Sequence, residues 1–523
     1  MLKSTKKNMK QIKMSLGLLI VFTLFTLRTF SSVGITITAS SPVIPVLKGM
    51  ESNELLSLRI YVPAGEKEIS FTNISSILNP DGLKSIEKID VFFTQNEPFF
   101  ATKNKLASIN PTSSKLNLPI NLKLKPGVNY LWLSAKLKET ADIDSKIEFH
   151  VSQVEDADSK KYEVIEESDG YIKRIGVAVL RAGDNGVNTY RIPGIVTTDK
   201  GSLIAVYDIR YQNSKDLPGN IDVGLSRSTN GGKTWEPMKV IMDMGEPNEN
   251  NGIGDPAVLF DPVTKKIWVI ALWSKGNRSI AGSRPGLSED VTGQMVLVSS
   301  DDDGLTWSSP KNITSTTKNP KWNLFFNGPG SGIAMANGKI VFAAQYWDEN
   351  AMPHSTLVYS ADHGKTWKTE YGPKSNTTEA QLIETVQGTL MLNMRDNRGR
   401  YRSVATTTDM GKTWTEHHTS YKALQDPVCM ASFIKAKVSI KGKQKDVVFF
   451  GNDNTQSDRY NLTIKASLDL GESWIKKNEL LIDERRFYGY SSLTMVDDKT
   501  VGFFYEGAKD LYFVRIPVNE IVK

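Results

Sequence analysis

The octapeptide Ser-Asp-Asp-Asp-Gly-Leu-Thr-Trp at residues 300–307 decides the fold, because its pattern occurs five times in the chain. The shared pattern is Ser or Thr, any residue, Asp or Asn, any residue, Gly, any residue, Thr or Ser, and Trp. The five copies are Ser228–Trp235, Ser300–Trp307, Ser360–Trp367, Thr407–Trp414 and Ser467–Trp474. Each copy predicts a tight hairpin turn, in which the Asp or Asn side chain accepts from backbone amides, Gly takes a positive φ and Trp packs the turn onto its sheet.

A second repeat gives the number of structural units. Successive copies of the turn start 47 to 72 residues apart, which fits one four-stranded blade per interval. Six apolar strands, each preceded by another apolar strand, also recur: Ser202–Asp208, Ile267–Trp273, Lys339–Trp347, Thr389–Arg395, Val447–Asp453 and Val501–Glu506. Residues 166–523 are therefore predicted to form a six-bladed β-propeller, with one blade lacking the turn. A flat antiparallel sheet or a sandwich would not require such regular spacing.

Residues 41–165 predict a smaller, separate β-domain. Short strand-like runs such as Leu56–Val62 and Tyr130–Ala135 alternate with turn signals, among them Pro-Asp-Gly at 80–82 and Pro-Gly at 126–127. This spacing favours a β-sandwich, and the fold class is all-β throughout. The acidic stretch Glu155–Asp169 predicts a linker to the propeller. Carbohydrate binding and bracing of the propeller are both open as roles for this domain.

Residues 1–40 predict a secretory signal peptide, since a lysine-rich start leads into an apolar run from Leu16 to Leu27 and then to small residues. The run is short for a membrane span, so we expect a periplasmic, cell-surface or secreted protein without stable membrane insertion of the mature chain. An uncleaved N-terminal anchor is the alternative. The segment holds six basic and no acidic residues, and the remaining 58 basic residues balance 58 acidic ones. Nucleic acid is therefore not an expected partner.

The blade pattern also predicts a site. The inner strand of each propeller blade lines the central axis, so the residues that begin these strands meet at one end of the channel. Those positions hold Arg191, Asp255, Glu379, Asp426 and Tyr490. Convergent charges favour a polar ligand site over a ring of purely structural residues.

The repeated turns resemble the Asp boxes of bacterial neuraminidases (sialidases), and Tyr190-Arg191-Ile192-Pro193 resembles the arginine motif of that family. The resemblance covers about Ile172 to Lys523, and the preceding domain resembles the accessory N-terminal domains of some such enzymes less specifically. It implies hydrolysis of terminal sialic acids from glycoproteins, glycolipids or oligosaccharides. A catalytically silent glycan-binding propeller and a trans-sialidase are the alternatives.

The resemblance implies three arginines that grip the substrate carboxylate, namely Arg191, Arg395 and Arg459. A guanidinium is permanently charged and bonds a carboxylate bidentately, which suits this task. The neighbours of Arg395 stay open as alternatives for the second position: Arg398, Arg400 and Arg402.

The resemblance also implies the catalytic groups. Tyr490 matches the nucleophile, because a neutral tyrosine is not repelled by the carboxylate that sialic acid carries on its anomeric carbon. Glu379 matches the base that the tyrosine needs. Asp216, in a loop, matches the acid/base catalyst. The nearest alternatives are Tyr488 for the nucleophile, Glu384 for the base and Asp222 for the acid.

Supporting roles follow from the same matching. Arg210 and Asp255 are expected to contact the sugar hydroxyl at carbon 4, and Glu506 is expected to hold Arg191. The implied reaction is retaining and passes through a tyrosyl-enzyme intermediate. No cofactor and no metal are expected: the chain has only five histidines, none in a zinc motif, and the acids of the Asp boxes are too sparse for calcium loops.

Overall fold

The structure, a computed structural model, describes residues 34–66, 68–245, 251–276 and 278–523. The predicted signal peptide falls mostly on residues 1–33, which lie outside the described residues. Within the described ranges, no helix has the length and apolar character needed to cross a membrane.

The N-terminal part is a sandwich of two sheets. Its strands are β1 (Thr36–Ser40), β2 (Val46–Lys48), β3 (Asn53–Val62), β4 (Ile69–Leu78), β5 (Ile86–Gln95), β6 (Lys105–Ile109), β7 (Lys115–Leu124), β8 (Gly127–Leu137), β9 (Lys146–Asp156) and β10 (Lys161–Glu166). One sheet has the order β10-β1-β3-β8-β5-β6, and the other runs β7-β4-β9-β10. Strand β7 buries every second residue, from Leu116 to Leu124, so its leucines face the core while its polar residues face solvent.

Two predicted boundaries differ from the structure. The sandwich begins at Thr36 and not at residue 41, because Ile37 and Ala39 of β1 are buried in its core. The stretch predicted as a linker contains β10, whose residues pair with both β9 and β1. Its acidic residues are compatible with a strand because most of its side chains remain in contact with solvent.

Six successive sheets form the rest of the described chain, and we call them blades 1 to 6. Strand β11 (Ile172–Leu180) precedes them. Blade 1 contains β12 (Thr189–Thr197), β13 (Leu203–Arg210), β14 (Ile221–Ser228) and β15 (Lys239–Met242). Blade 2 contains β16 (Ile253–Asp261), β17 (Lys266–Trp273), β18 (Gln294–Ser300) and β19 (Lys311–Asn312), and the short β21 (Gly330–Ser331) adds to it by pairing with β16. Blade 3 contains β20 (Leu324–Asn327), β22 (Ile333–Ala334), β23 (Ile340–Trp347), β24 (Pro353–Ser360) and β25 (Lys368–Thr369). Blade 4 contains β26 (Thr377–Glu384), β27 (Leu390–Asp396), β29 (Ser403–Thr407) and β30 (Thr415–Glu416), while β28 (Arg400–Tyr401) and β31 (Gln425–Asp426) pair with each other as a small additional sheet. Blade 5 contains β32 (Ser432–Ile440), β33 (Lys443–Asp453), β34 (Leu462–Ser467) and β35 (Glu479–Asp483). Blade 6 contains β36 (Ser491–Asp497), β37 (Thr500–Glu506) and β38 (Leu511–Pro517). The short helices are α1 (Pro80–Ser85), α2 (Thr314–Thr317) and α3 (Val518–Ile521).

The sheets close into a ring, as the sequence predicts for a propeller. The inner strand of blade 1, β12, contacts the inner strands of both neighbours, β36 and β16. Strand β11, which precedes blade 1 in the chain, pairs with β38 and supplies the fourth strand of blade 6. The same β11 also pairs with β2 and β9, so hydrogen bonds join the sandwich to the propeller.

The five predicted turns lie between the third and fourth strands of blades 1 to 5, and blade 6 lacks one. In blade 2, Asp302 Oδ1 accepts from Thr306 N at 2.8 Å, and Gly304 N donates to Ser300 Oγ at 2.9 Å. Gly304 has a φ of 85°, as expected. The tryptophans also reach the preceding blade: Trp235 of blade 1 stacks on Phe504 of blade 6 at 6.2 Å. The turns therefore connect neighbouring blades as well as strands.

The turn of blade 2 predicts a pH effect on stability. Hydrogen bonds from Thr306 lower the pKa of Asp302 from 3.8 to about 2. A lowered pKa in the folded state means that Asp302 contributes stability above about pH 3.8, and that this contribution is lost as the pH falls through about 2. We expect Asp302→Asn to lower the urea midpoint slightly at about pH 5, and the difference from the parent to shrink at about pH 3. Blade 1 carries Asn230 at this position, so the amide fits the turn.

Candidate active site

An open cavity of about 240 Å³ lies where the first residues of the inner strands meet. The residues that line it are Arg191, Ile192, Asp216, Asp255, Ile280, Phe326, Gln345, Trp347, Thr378, Glu379, Arg395, Asn397, Arg459 and Tyr490. Seven of the nine residues predicted from the sequence are among them. The other two, Arg210 and Glu506, are about 1% exposed and lie behind the wall.

β-Bulges in three inner strands place the charged groups. Strand β12 skips Ile192 and Pro193 in its pairing with β13, β16 skips Asp255 and Pro256 in its pairing with β17, and β26 skips Thr378 and Glu379 in its pairing with β27. A bulge frees a residue from the ladder and turns its side chain in a new direction. Ile192 and Asp255 take positive φ values of 59° and 57° there. Proline is tolerated in two of the bulges because no ladder donor is needed.

Tyr490, Glu379 and Arg395 form a hydrogen-bonded group at the cavity. The Tyr490 hydroxyl donates to Glu379 Oε1 at 2.5 Å. Arg395 Nη1 donates to Glu379 Oε2 at 2.6 Å and to the Tyr490 oxygen at 3.0 Å. The carboxylate is thus placed to accept the phenolic proton, and the guanidinium is placed to stabilise the charge that remains on oxygen.

Burial, and then the charge of Glu379, raise the pKa of Tyr490 well above its usual value. The positive charges of Arg395 and Arg191 oppose this shift. The resting residue is therefore a phenol, and its proton leaves only when a neighbouring base takes it. Glu379 is the carboxylate in hydrogen-bond contact with that proton.

Glu506 holds two sides of the cavity together. Its Oε1 accepts from Arg191 Nε at 3.0 Å and from the bulged amide of Ile192 at 2.9 Å. Its Oε2 accepts from the backbone amide of Tyr490 at 3.0 Å. One buried carboxylate therefore fixes Arg191 of blade 1 and Tyr490 of blade 6, and its charge is paired with that guanidinium.

Arg459 fixes the segment that carries the tyrosines. Its guanidinium donates to the carbonyls of Tyr488 at 2.7 Å and Val428 at 3.1 Å. Gly489 between the two tyrosines has a φ of 91°, and a Cβ there would lie 2.0 Å from Asp453 Oδ2. Only glycine fits this close approach. Tyr488 itself lies over the Arg191 guanidinium, 4.3 Å from ring centroid to Cζ.

Asp216 is the most exposed carboxylate of the cavity. Its side chain is 63% exposed and its Oδ1 lies 2.8 Å from Arg210 Nη1 and 3.5 Å from Arg191 Nη1. Arg210 is not among the lining residues: its Nε and Nη2 bind Asp208, and its Nη1 also donates to the carbonyl of Ser214. Arg210 therefore supports Asp216 from behind.

Asp208 performs a similar bracing role for Asp255. Its Oδ1 accepts from the bulged amide of Asp255 at 2.8 Å. Burial, and then the nearby charge of Asp208, raise the pKa of Asp255 well above its usual value. The environment of Asp255 therefore favours the protonated form of its carboxyl group, which lines the cavity.

The alternatives that the sequence leaves open lie elsewhere. Glu384 accepts backbone amides of two turns at the far end of β26. Asp222 accepts from the Tyr211 hydroxyl and does not line the cavity. Arg402 is fully buried against Asn393, Arg398 bonds Asp396, and Arg400 is exposed in β28. Asp426, the remaining inner-strand acid, is buried beside Arg402 at 3.6 Å.

Sequence reasoning missed the apolar side of the cavity. Phe326 and Gln345 are register partners on β20 and β23, and Trp347 ends β23. The Nε1 of Trp347 is buried without a partner. A signal existed, since the strand Lys339–Trp347 was predicted and its last residue lies at the channel end of its blade.

Comparison with known proteins identifies the family. A BNR repeat-like domain model matches residues 209–505, and an N-terminal domain of BNR-repeat neuraminidase matches residues 34–160. A sialidase of Bacteroides fragilis is 41% identical over 496 residues, which cover 93% of this chain and 90% of that protein. The chain belongs to the bacterial sialidase family.

Other relatives agree with this sialidase assignment. The solved structure of a Hadza microbial sialidase superposes with a TM-score of 0.86 at 39% identity, over 93% of this chain and all of that one. A sialidase of Micromonospora viridifaciens is 33% identical over 62% of this chain and 50% of its own length. This sialidase is accordingly a glycoside hydrolase, an exo-α-sialidase, and the relatives do not favour a silent glycan-binding propeller.

Proposed function

We propose that this sialidase releases terminal sialic acids from glycoconjugates with retention of configuration, through a tyrosyl-enzyme intermediate on Tyr490. The observation that carries the proposal is the 2.5 Å hydrogen bond from the Tyr490 hydroxyl to Glu379 in a cavity lined by Arg191, Arg395 and Arg459. Three guanidiniums in one small cavity provide donors for a substrate carboxylate. Asp255 lines the same cavity and is placed to hydrogen-bond a sugar hydroxyl.

The first step forms the intermediate. Glu379 takes the Tyr490 proton while the phenolic oxygen attacks the anomeric carbon, and the glycosidic bond breaks. Asp216 donates its proton to the leaving oxygen. Arg395, 3.0 Å from the phenolic oxygen, stabilises the developing negative charge on that oxygen before the new bond is complete.

The second step reverses these roles. Asp216 takes a proton from a water molecule that attacks the anomeric carbon, and the bond to Tyr490 breaks. Glu379 returns the proton to the phenolate, and sialic acid leaves. Each carbon–oxygen exchange inverts the anomeric centre, so two exchanges give net retention.

The anomer of the first product tests the mechanism. Proton NMR of sialyllactose hydrolysis should show α-sialic acid before it mutarotates to the β form. First appearance of the β form would exclude the double displacement and leave direct attack by water. The same spectra detect transfer, because a sialylated acceptor would accumulate in place of free acid.

Asp216→Ala should affect substrates unequally. A lactose leaving group needs a proton, so we expect kcat/KM for sialyllactose to fall at least about 100-fold. An aryl leaving group such as 4-methylumbelliferone is a more stable anion, so kcat/KM for its sialoside should fall much less. Asp222→Asn is the matched control in the same region, and it should change kcat/KM for the two substrates by the same factor. Equal losses with Asp216→Ala would contradict the acid role.

We also propose that the chain is exported, on the basis of its lysine-rich start and the apolar run from Leu16 to Leu27. Fractionation of the native host would test this. The mature protein should appear outside the cytoplasm, and its N-terminus should precede Thr36, because removal of β1 would expose the sandwich core.

A further inference from the structure

Outside the cavity, two histidines and a glutamate converge between blades 4 and 5. Glu472 belongs to the Asp-box turn of blade 5, and His417 and His418 follow β30 of blade 4. The Glu472 Oε1 lies 3.3 Å from His417 Nε2, and the Glu472 Oε2 lies 2.8 Å from His418 Nε2. The imidazole centroids are 4.5 Å apart, and one ligand atom from each of the three residues falls within 4.8 Å of the others.

The backbone on both sides holds these groups in place. His417 N donates to the Val404 carbonyl at 2.9 Å, and its own carbonyl accepts from Ser420 N at 2.9 Å. Glu472 N donates to the Asp469 carbonyl within a turn that Ser467 and Asp469 hold by side-chain hydrogen bonds. The His417 side chain is only 10% exposed, so its ring orientation is fixed by packing.

Thr419 contacts the second ring nitrogen of His417. Its Oγ1 lies 2.7 Å from His417 Nδ1, and its backbone amide lies 3.4 Å from the same nitrogen. In the tautomer that donates from Nδ1 to Thr419 Oγ1, Nε2 presents its lone pair towards Glu472. Metal-binding histidines commonly have this kind of outer hydrogen bond, which fixes the tautomer.

We propose that His417, His418 and Glu472 bind a divalent transition metal, with Zn²⁺ the best match to two imidazoles and one carboxylate. Ligand atoms of a tetrahedral zinc lie about 3.3 Å apart, given bonds of about 2.0–2.1 Å. The two Nε2–oxygen distances, 2.8 and 3.3 Å, are close to that value. Water would complete the coordination, and the ion would join the outer edges of blades 4 and 5.

Three basic residues, Lys374, Arg398 and Lys422, line the same groove as the two histidines. Arg398 Nη1 is 2.9 Å from Asp396. Lys374 Nζ is 3.4 Å from Glu416 and 3.7 Å from Asp396. Its charge is therefore matched by carboxylates other than Glu472. The groove shares no lining residue with the active-site cavity, so the metal site is separate from the catalytic groups.

Equilibrium dialysis of the untagged full chain against ZnCl₂ near neutral pH tests the proposal, with bound zinc measured by mass spectrometry. We expect about one zinc ion per chain, and an affinity at least about 10-fold lower in His418→Ala and Glu472→Gln. His363→Ala is the matched control: His363 also lies in an Asp box but pairs with one carboxylate, Asp261, and its loss should leave zinc binding unchanged.

Measuring Tm with and without zinc tests whether the bound ion stabilises the fold. Zinc should raise the Tm of the parent and of His363→Ala by a few degrees, since a ligand that binds only the folded state stabilises it. It should leave the Tm of His418→Ala unchanged, while that variant keeps the sialidase activity of the parent. No bound zinc in the parent, or equal binding in His418→Ala, would overturn the proposal without touching the catalytic mechanism.

Discussion

Replacing Tyr490 with phenylalanine should lower kcat/KM for a fluorogenic sialoside at least about 100-fold, because the variant keeps the ring but lacks the attacking oxygen. The ring is buried and packs beside Ile192, Cys429 and Met430, so the fold should survive the change. Urea unfolding would confirm this. The hydroxyl bonds to Glu379 and Arg395, and some change in KM is expected as these two side chains rearrange.

Tyr488→Phe is the matched control for this experiment. Tyr488 lies two residues away, and its ring covers Arg191 rather than facing Glu379. Because phenylalanine keeps that ring contact, we expect a loss of less than about 10-fold. Near-normal activity in Tyr490→Phe together with a large loss in Tyr488→Phe would transfer the nucleophile role to Tyr488.

Glu506→Gln should cause the largest loss of stability among conservative changes at the site. The amide keeps one acceptor for Arg191 and Ile192, but its NH₂ would face the Tyr490 amide, which also donates. The change also removes the buried partner charge of Arg191, which keeps only the exposed Asp216 carboxylate at 3.5 Å. Removing one member of a buried ion pair costs about 3–5 kcal/mol. We expect a clear decrease in the urea midpoint, and an activity loss because Arg191 and Tyr490 both lose their anchor.

Glu384→Gln provides the comparison. Glu384 also accepts two backbone amides, but it lies at the far end of β26 and its bonds hold surface turns. We expect a cost of about 1 kcal/mol and unchanged kcat. If Glu506→Gln were no more costly than Glu384→Gln, Glu506 would not be the central brace that the geometry indicates.

The propeller could be predicted from the sequence because its turn and strand patterns are repeated along the chain. Five copies of an eight-residue turn and six strand pairs occur at regular intervals, and each copy supports the others. The cavity followed from the same regularity, since the residues at equivalent strand starts converge on the axis. Arg191, Asp255, Glu379 and Tyr490 all line it.

Features that depend on single contacts between distant segments could not be predicted. Arg210 carries the same charge as the cavity arginines, and only its bonds to Asp208 and Ser214 show that it lies behind the wall. Strand β10 resembles a linker in sequence because its acidic side chains face solvent, while its pairing with β9 and β1 depends on distant residues. His417 and Glu472 are 55 residues apart, so no local motif indicated their convergence.

The β-bulges of the inner strands could be predicted from the sequence only in part. Arg191-Ile192-Pro193 and Asp255-Pro256 both place a proline early in an inner strand, where a regular ladder would exclude it. That coincidence could have predicted irregular pairing at both positions. It could not have predicted that Glu506 and Asp208 accept the amide protons that the bulges free.

Trapping the intermediate tests the central claim most directly. The full chain would be incubated with 2,3-difluorosialic acid, denatured rapidly, digested and analysed by mass spectrometry. Covalent attachment of the fluorosialyl group to Tyr490 is the predicted result, and Tyr490→Phe should show no adduct. An adduct on Glu379 or on another residue, or none from an enzyme that the reagent inactivates, would contradict nucleophilic catalysis by Tyr490.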